Sequence, residues 1–121
     1  MSDCIFCKIV DGTIPGRKLL ETDEVLAFYD IEPQAPFHAV LIPKQHTLSS
    51  MDDIDGGNSA VMAPLFEAVA RIAAEQNLQS GYRVVINCGE AGGQTVHHLH
   101  LHILAGRILG HMADKEKETV K

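Results

Sequence analysis

Gln94-Thr-Val-His-His-Leu-His-Leu-His-Ile-Leu104 is the stretch whose reading decides the fold. Side chains of an extended chain alternate between two faces with period two. His98, His100 and His102 then share one face. Leu99, Leu101 and Ile103 share the other and point into a core. Wound as a helix, the three histidines would spread around the axis and the apolar residues would lose their common face. The alternation predicts a strand over Val96–Leu104.

The flanking sequence supplies its partners. Tyr82–Asn87 reads as a second strand, joined to the first through a glycine-rich loop at Gly89–Gly93. Upstream, Val61, Leu65, Val69, Ile72 and Ala73 form the stripe of an amphipathic helix. Asn58 or Ser59 is a candidate N-cap, Pro64 can mark the true start, and the Ser80-Gly81 turn follows an end near Asn77. Lys18–Leu20, Val25–Tyr29 and Ala39–Ile42 read as strands, the last stopped by Pro43. Asp30–Phe37, with Pro33 and Pro36, reads as a loop. Ile5, Phe6, Ile9 and Val10 suit one or two helical turns. The expectation is an α+β fold: an antiparallel sheet of about five strands, one long helix and a short N-terminal helix. A single domain is expected over residues 1–112, with a charged tail over 113–121.

Composition narrows the function. The chain has 121 residues, enough for one core without disulfides. Ten Lys+Arg against sixteen Asp+Glu give a net charge of −6, which argues against nucleic-acid binding through phosphate neutralisation. Aromatics at 5% argue against a base-stacking platform. No apolar stretch approaches the roughly 20 residues of a membrane span, and the N-terminus lacks a signal-peptide pattern. A soluble cytoplasmic protein is expected. Three cysteines are too few for a disulfide framework.

Three imidazoles in a row repel one another if protonated and need hydrogen-bond partners if buried. Two chemistries use such a row: metal ligation, or a nucleophilic imidazole whose neighbours orient it and bind an anion. Gly92-Gly93-Gln94-Thr95 favours the second. Small residues let backbone N–H groups face a phosphate, and Gln and Thr add neutral hydrogen bonds. Cys4-x-x-Cys7 is a zinc half-site or a redox pair. The thioredoxin-like βαβ setting that a redox pair wants is not visible.

His98-Leu-His-Leu-His-Ile-Leu104 resembles the His-φ-His-φ-His-φ-φ signature of the histidine-triad nucleotide-binding proteins. Asp30-Ile-Glu-Pro-Gln-Ala-Pro36 with His38, Leu41-Ile-Pro-Lys44, Asn87 and Gly92-Gly-Gln-Thr95 also fall where that family has them. The resemblance runs from Cys4 to about Leu109 and points to the Hint-like branch, which hydrolyses nucleoside phosphoramidates. It implies that His100 is a nucleophile attacking the α-phosphorus of a purine nucleoside monophosphate derivative and forming a nucleotidyl-histidine. His102 would bind the phosphoryl group and assist the leaving group, with His98 and His38 completing the cluster. Asp30 would accept hydrogen bonds from the ribose hydroxyls. Ile5, Phe6, Ile9, Phe28 and Ile31 would wall the base slot. Asn87, Gly93, Gln94 and Thr95 would contact the phosphate and leaving side.

Some members of this superfamily carry a structural zinc. The resemblance assigns its ligands here to Cys4, Cys7, His46 and His98. Relatives also pair into homodimers through the helix and the Tyr82–Asn87 strand. His97 stands where the Hint-like pattern often has tyrosine, and it is assigned no catalytic role. In relatives the C-terminal end tunes the substrate side, and here that end is simply charged, so leaving-group preference stays open. The competing expectations are a dinucleoside polyphosphate hydrolase and a nucleotide-binding adaptor with incidental catalysis.

Overall fold

The computed structural model describes residues 3–112. The elements are α1 (Ile5–Val10), β1 (Lys18–Glu21), β2 (Val25–Tyr29), β3 (Phe37–Pro43), α2 (Met62–Glu75), β4 (Arg83–Val85) and β5 (Leu101–Ala105). Two single 3₁₀ turns, Met51–Asp53 and Ser59–Val61, precede α2. The strands form one five-stranded sheet in the order β1-β2-β3-β5-β4, and every pairing is antiparallel. This is the expected architecture. The tail expected at 113–121 lies outside the described residues.

Both faces of the sheet are covered, which is why β2 and β3 read as unbroken apolar runs. One face carries Val25, Ala27, Ala39, Leu41, Leu99, Leu101 and Ile103 against Leu65, Ala68, Val69 and Ile72 of α2. The other carries Leu26, Phe28, Val40 and Ile42 against Phe6 and Ile9 of α1. The period-two reading of the histidine segment therefore holds: Leu99, Leu101 and Ile103 enter the α2 core, and the histidines face the α1 side.

Several boundaries differ from the sequence reading: Tyr82–Asn87 shortens to Arg83–Val85, and Ala39–Ile42 lengthens to Phe37–Pro43. The last strand begins its ladder at Leu101, not Val96, because the chain bends over Val96–His98 and Leu99 N–H bonds to Leu48 O rather than to β3, which itself continues to Pro43. β4 reaches β5 only through Arg83–Leu104, Val84–Ile103 and Val85–His102, and β3 reaches it no further back than Leu41–Leu101. His98 and His100 sit on this approach to β5, held by Leu99 N–H donating to Leu48 O at 3.0 Å. The long helix starts at Met62 rather than Ser59. Pro64 then falls in its first turn, where a missing N–H leaves no bond unmade. Asn58 does not cap that helix. Its side chain accepts from Asp55 N–H at 2.8 Å and donates to Asp53 O at 2.9 Å, building the turn that precedes it.

Candidate functional site

Each of the three triad histidines has one ring nitrogen fixed by the chain itself. His100 Nδ1 lies 2.6 Å from His98 O. A carbonyl only accepts, so Nδ1 carries the proton and Nε2 keeps a lone pair. His98 Nε2 lies 2.8 Å from Pro43 O, which leaves its Nδ1 as an acceptor. His38 is fixed in the opposite sense. Gln34 N–H donates to its Nδ1 at 2.9 Å, so the proton sits on Nε2. That Nε2 lies 2.9 Å from His102 Nδ1, making His102 an acceptor there and an N–H donor at its own Nε2. The arrangement thus presents one nucleophilic nitrogen and, beside it, one donor. The His100 and His102 rings meet edge to face with centroids 5.0 Å apart.

Burial keeps these rings neutral. His98 is fully buried, and desolvation pulls its pKa from 6.5 down to about 4. Desolvation likewise pulls His102 to about 4, with His100 and His38 nearby adding to the effect. His100 and His38 are also lowered by burial, opposed in part by the carboxylate of Asp30. A neutral imidazole is the nucleophilic form, so His100 is ready near pH 7.

Asp30 follows β2 and is held on both sides. Its Oδ1 accepts from Glu32 N–H at 2.7 Å, and its Oδ2 lies 3.4 Å from His38 Nε2. A cleft of about 540 Å³ opens at Asp30, lined by Arg17, Tyr29, Ile31 and Pro33. The five residues expected to wall a base slot divide into two sets. Phe6, Ile9 and Phe28 are buried in the core under α1, whereas Ile5 is 41% exposed and Ile31 is 89% exposed. Phe6 also meets the His100 ring in a T-shaped contact, with centroids 5.0 Å apart.

The glycine-rich loop is built by side chains expected to touch substrate. Gln94 is buried, and its amide is committed to backbone. It donates to Ser49 O at 2.7 Å and Val96 O at 3.0 Å, and accepts from Gly89 N–H at 3.0 Å. Gln94 therefore shapes the loop from behind. Asn87 donates to Gly92 O at 2.7 Å from the opposite side. Gly92 has no room for a side chain, since a Cβ would stand 2.3 Å from Cys88 O. Gly93 needs its positive φ of 88°. Thr95 is exposed beside a cleft of about 460 Å³ that also meets Cys4, His46 and His97.

Cys4, Cys7, His46 and His98 come together from three places in the sequence. Their ligand atoms all lie within 4.8 Å of one another. Cys4 Sγ is 3.3 Å from His98 Nδ1, and Cys7 Sγ is 3.3 Å from His46 Nδ1 and 3.6 Å from His98 Nδ1. Both imidazoles spend Nε2 on backbone carbonyls, His98 on Pro43 and His46 on His97 O at 2.7 Å. Two thiols and two inward lone pairs, each histidine steadied from behind, are a donor set that fits tetrahedral zinc. Asp30, His38 and His102 are equally close together. That trio does not suit a metal: Gln34 N–H occupies His38 Nδ1, so the Nε2 facing the cluster holds a proton.

The functional groups that sequence reasoning missed are backbone atoms: His98 O, Pro43 O, His97 O and Gln34 N–H. No residue identity signals them, because their positions come from the path of the chain.

A triad of tautomer-fixed imidazoles on a five-stranded sheet, beside a glycine-rich loop, defines a histidine-triad protein. The HIT domain model matches residues 11–109, and the chain belongs to the HIT family. Its structure is similar to a histidine triad protein from Clostridium difficile, with TM-score 0.88, 45% identity, and coverage of 93% of this chain and 98% of that one. It also resembles a HIT family hydrolase from Legionella pneumophila, with TM-score 0.87, 40% identity, and coverage of 91% and 98%. A histidine triad nucleotide-binding protein from Candida albicans superposes with TM-score 0.77 at 30% identity, covering 95% and 87%. No helix among the described residues is long and apolar enough to cross a membrane.

Proposed function

We propose that the protein is a nucleotide-binding hydrolase that cleaves the P–N bond of purine nucleoside 5′-phosphoramidates through a nucleotidyl-histidine on His100. The observation that carries this reading is the 2.6 Å contact between His100 Nδ1 and His98 O. It leaves Nε2 as the nucleophile, and it favours the adduct. Once Nε2 bonds to phosphorus the ring becomes an imidazolium, and its Nδ1–H donates more strongly to the same carbonyl. The P–N bond breaks as the departing amine takes the proton of His102 Nε2. Water then attacks the phosphorus and gives a proton back to His102 Nε2, the P–Nε2 bond breaks, and the nucleoside monophosphate leaves. His102 Nε2–H donates to the phosphoryl group, whereas the Gly92 and Gly93 N–H groups, expected to face the phosphate, are spent inside their turn on Gly89 O at 3.1 Å and Glu90 O at 3.0 Å.

Parallel assays with adenosine 5′-phosphoramidate and a diadenosine polyphosphate test the substrate class. The phosphoramidate should be turned over with the higher kcat/KM. A preference for the polyphosphate would replace this reading with the neighbouring one.

Asp30 binds the ribose in this reading. A carboxylate accepts only, which suits two sugar hydroxyls. Asp30→Asn should raise KM for ribonucleoside substrates by roughly 10- to 100-fold, the worth of a charge-assisted hydrogen bond, and change KM little for a 2′,3′-dideoxy substrate. Equal losses with both substrates would make Asp30 a turn-stabilising residue.

Zinc at Cys4, Cys7, His46 and His98 belongs to the same proposal, in a structural role, since all four ligands come from the protein. So does a homodimer. Phe66 on α2 and Tyr82 and Val84 at the β4 edge are 54%, 43% and 39% exposed. An unpaired edge strand beside apolar side chains supports two-fold pairing there.

A further inference from the structure

Arg107 reaches the histidine cluster without touching it. β3 and β5 pair as far as Phe37 and Ala105. Beyond that pair, Gly106 packs so closely on the loop before β3 that a Cβ there would stand 2.7 Å from Pro36 Cβ and 3.2 Å from Phe37 N. This approach carries the exposed Arg107 across to the loop, where its guanidinium donates to Gln34 O at 3.2 Å. A second guanidinium N–H donates to Ile108 O at 3.2 Å. Gln34 lies between Pro33 and Pro36, which offer no N–H to anchor the loop. Its own N–H donates to His38 Nδ1 at 2.9 Å.

We propose that Arg107 is a positioning residue: by pinning Gln34 it fixes the proton of His38, and through it the proton of His102. His38 Nε2–H donates to His102 Nδ1 at 2.9 Å, so His102 carries its proton on Nε2. The same two rings can also bond in the reverse sense. With Nδ1 of His38 protonated, His38 Nε2 accepts from His102 Nδ1–H, and His102 Nε2 is left with a lone pair. That pair cannot donate to a phosphoryl oxygen or to a departing amine. The contact between the rings is alike in both senses, so it does not choose between them. Gln34 N–H is the hydrogen bond that chooses, because it needs a lone pair at His38 Nδ1. A loop that loses Arg107 holds that N–H less firmly, with a consequence for turnover that rests on reading His102 as the donor in phosphoramidate cleavage.

Arg107→Met keeps a long stem and removes the donors, and Arg107→Lys keeps one charged donor. In ligand-free protein with ¹⁵N-labelled histidine, native His38 and His102 should each show a protonated Nε2 and an unprotonated Nδ1. Arg107→Met should move both together toward the opposite tautomer, and Arg107→Lys should restore most of the native pattern. Turnover should follow the proton. Roughly half of the Arg107→Met molecules would hold the idle pair and the rest a weaker chain of donors, so kcat for a phosphoramidate with an alkylamine leaving group should fall about 5-fold, with KM within about 2-fold. For the p-nitrophenyl ester of the same nucleotide, whose leaving group departs without a proton, kcat should stay within about 2-fold. Native tautomers in Arg107→Met would overturn the proposal and leave Arg107 a surface brace. Shifted tautomers with equal losses for the two substrates would support the hold on the proton and overturn the role given to His102 in the reaction.

Discussion

His100→Ala should lower phosphoramidate turnover by at least about 1,000-fold while nucleoside monophosphate binding stays within a few-fold of the native value. In the proposed mechanism His100 forms the covalent intermediate, and removing it closes a route rather than weakening a contact. The proposed binding groups sit elsewhere: Asp30 after β2 and Asn87 on the approach to β5. The fold should tolerate the change, because His100 lies before the β5 ladder and carries none of its pairings. Mass spectrometry of native protein quenched during turnover should find one nucleotidyl group, on the peptide carrying His98–His102. The His100→Ala protein should carry none. His102→Ala should cost less, since it removes a donor and leaves the covalent route open. A His100→Ala protein with good activity, paired with an inert His102→Ala protein, would reverse the two roles.

Much of this site was legible in the sequence for one reason: alternation. His98, His100 and His102 had to share a face, and Leu99, Leu101 and Ile103 had to fill the other, once the segment was extended. The core of the sheet followed, because Ala39–Ile42 and Val25–Tyr29 are apolar on both faces and so must be covered twice. The boundaries were less legible. Extended chain and paired strand have the same side-chain pattern, and a distant partner, Leu48 O, takes the Leu99 N–H so that pairing begins only at Leu101. Gln94 illustrates a different limit. A polar side chain next to a glycine loop reads as a ligand contact, but Gln94 turns inward and uses its amide on Ser49, Gly89 and Val96. Nothing local distinguishes the two uses, because the deciding partner is 45 residues away. The tautomers are further still from the sequence. Gln34 N–H and His98 O set which nitrogen attacks and which donates, and a backbone group has no letter of its own. Apolar composition also conflated two jobs. Phe6, Ile9 and Phe28 pack under α1, while Ile5 and Ile31 keep large exposed surfaces.

Removing the metal from the Cys4–Cys7–His46–His98 cluster should destabilise the fold before it slows the chemistry. Native protein expressed with ample zinc and without a tag should hold close to one zinc per chain, and Cys4→Ser should lose it. Chelation should lower the melting temperature by on the order of 10 °C, the effect of losing a few kcal/mol in a domain near this size. The cause is the position of α1. This helix has six residues, too few to persist alone, and it contributes Phe6 and Ile9 to one face of the sheet. Cys4 caps it, its Sγ accepting from Cys7 N–H at 3.3 Å. An ion shared by Cys4, Cys7, His46 and His98 would fasten that helix to the end of β3 and the approach to β5. Activity should fall second, through Phe6. Its ring makes T-shaped contacts with both His100 and Phe28, so a loosened α1 leaves the proposed nucleophile with one wall missing. The loss should be smaller than that of His100→Ala and should recover when zinc is returned, because none of the reacting atoms needs the ion. Zinc content near zero under replete conditions, with a full melting temperature and full activity, would leave the two cysteines as small packing residues under Phe6.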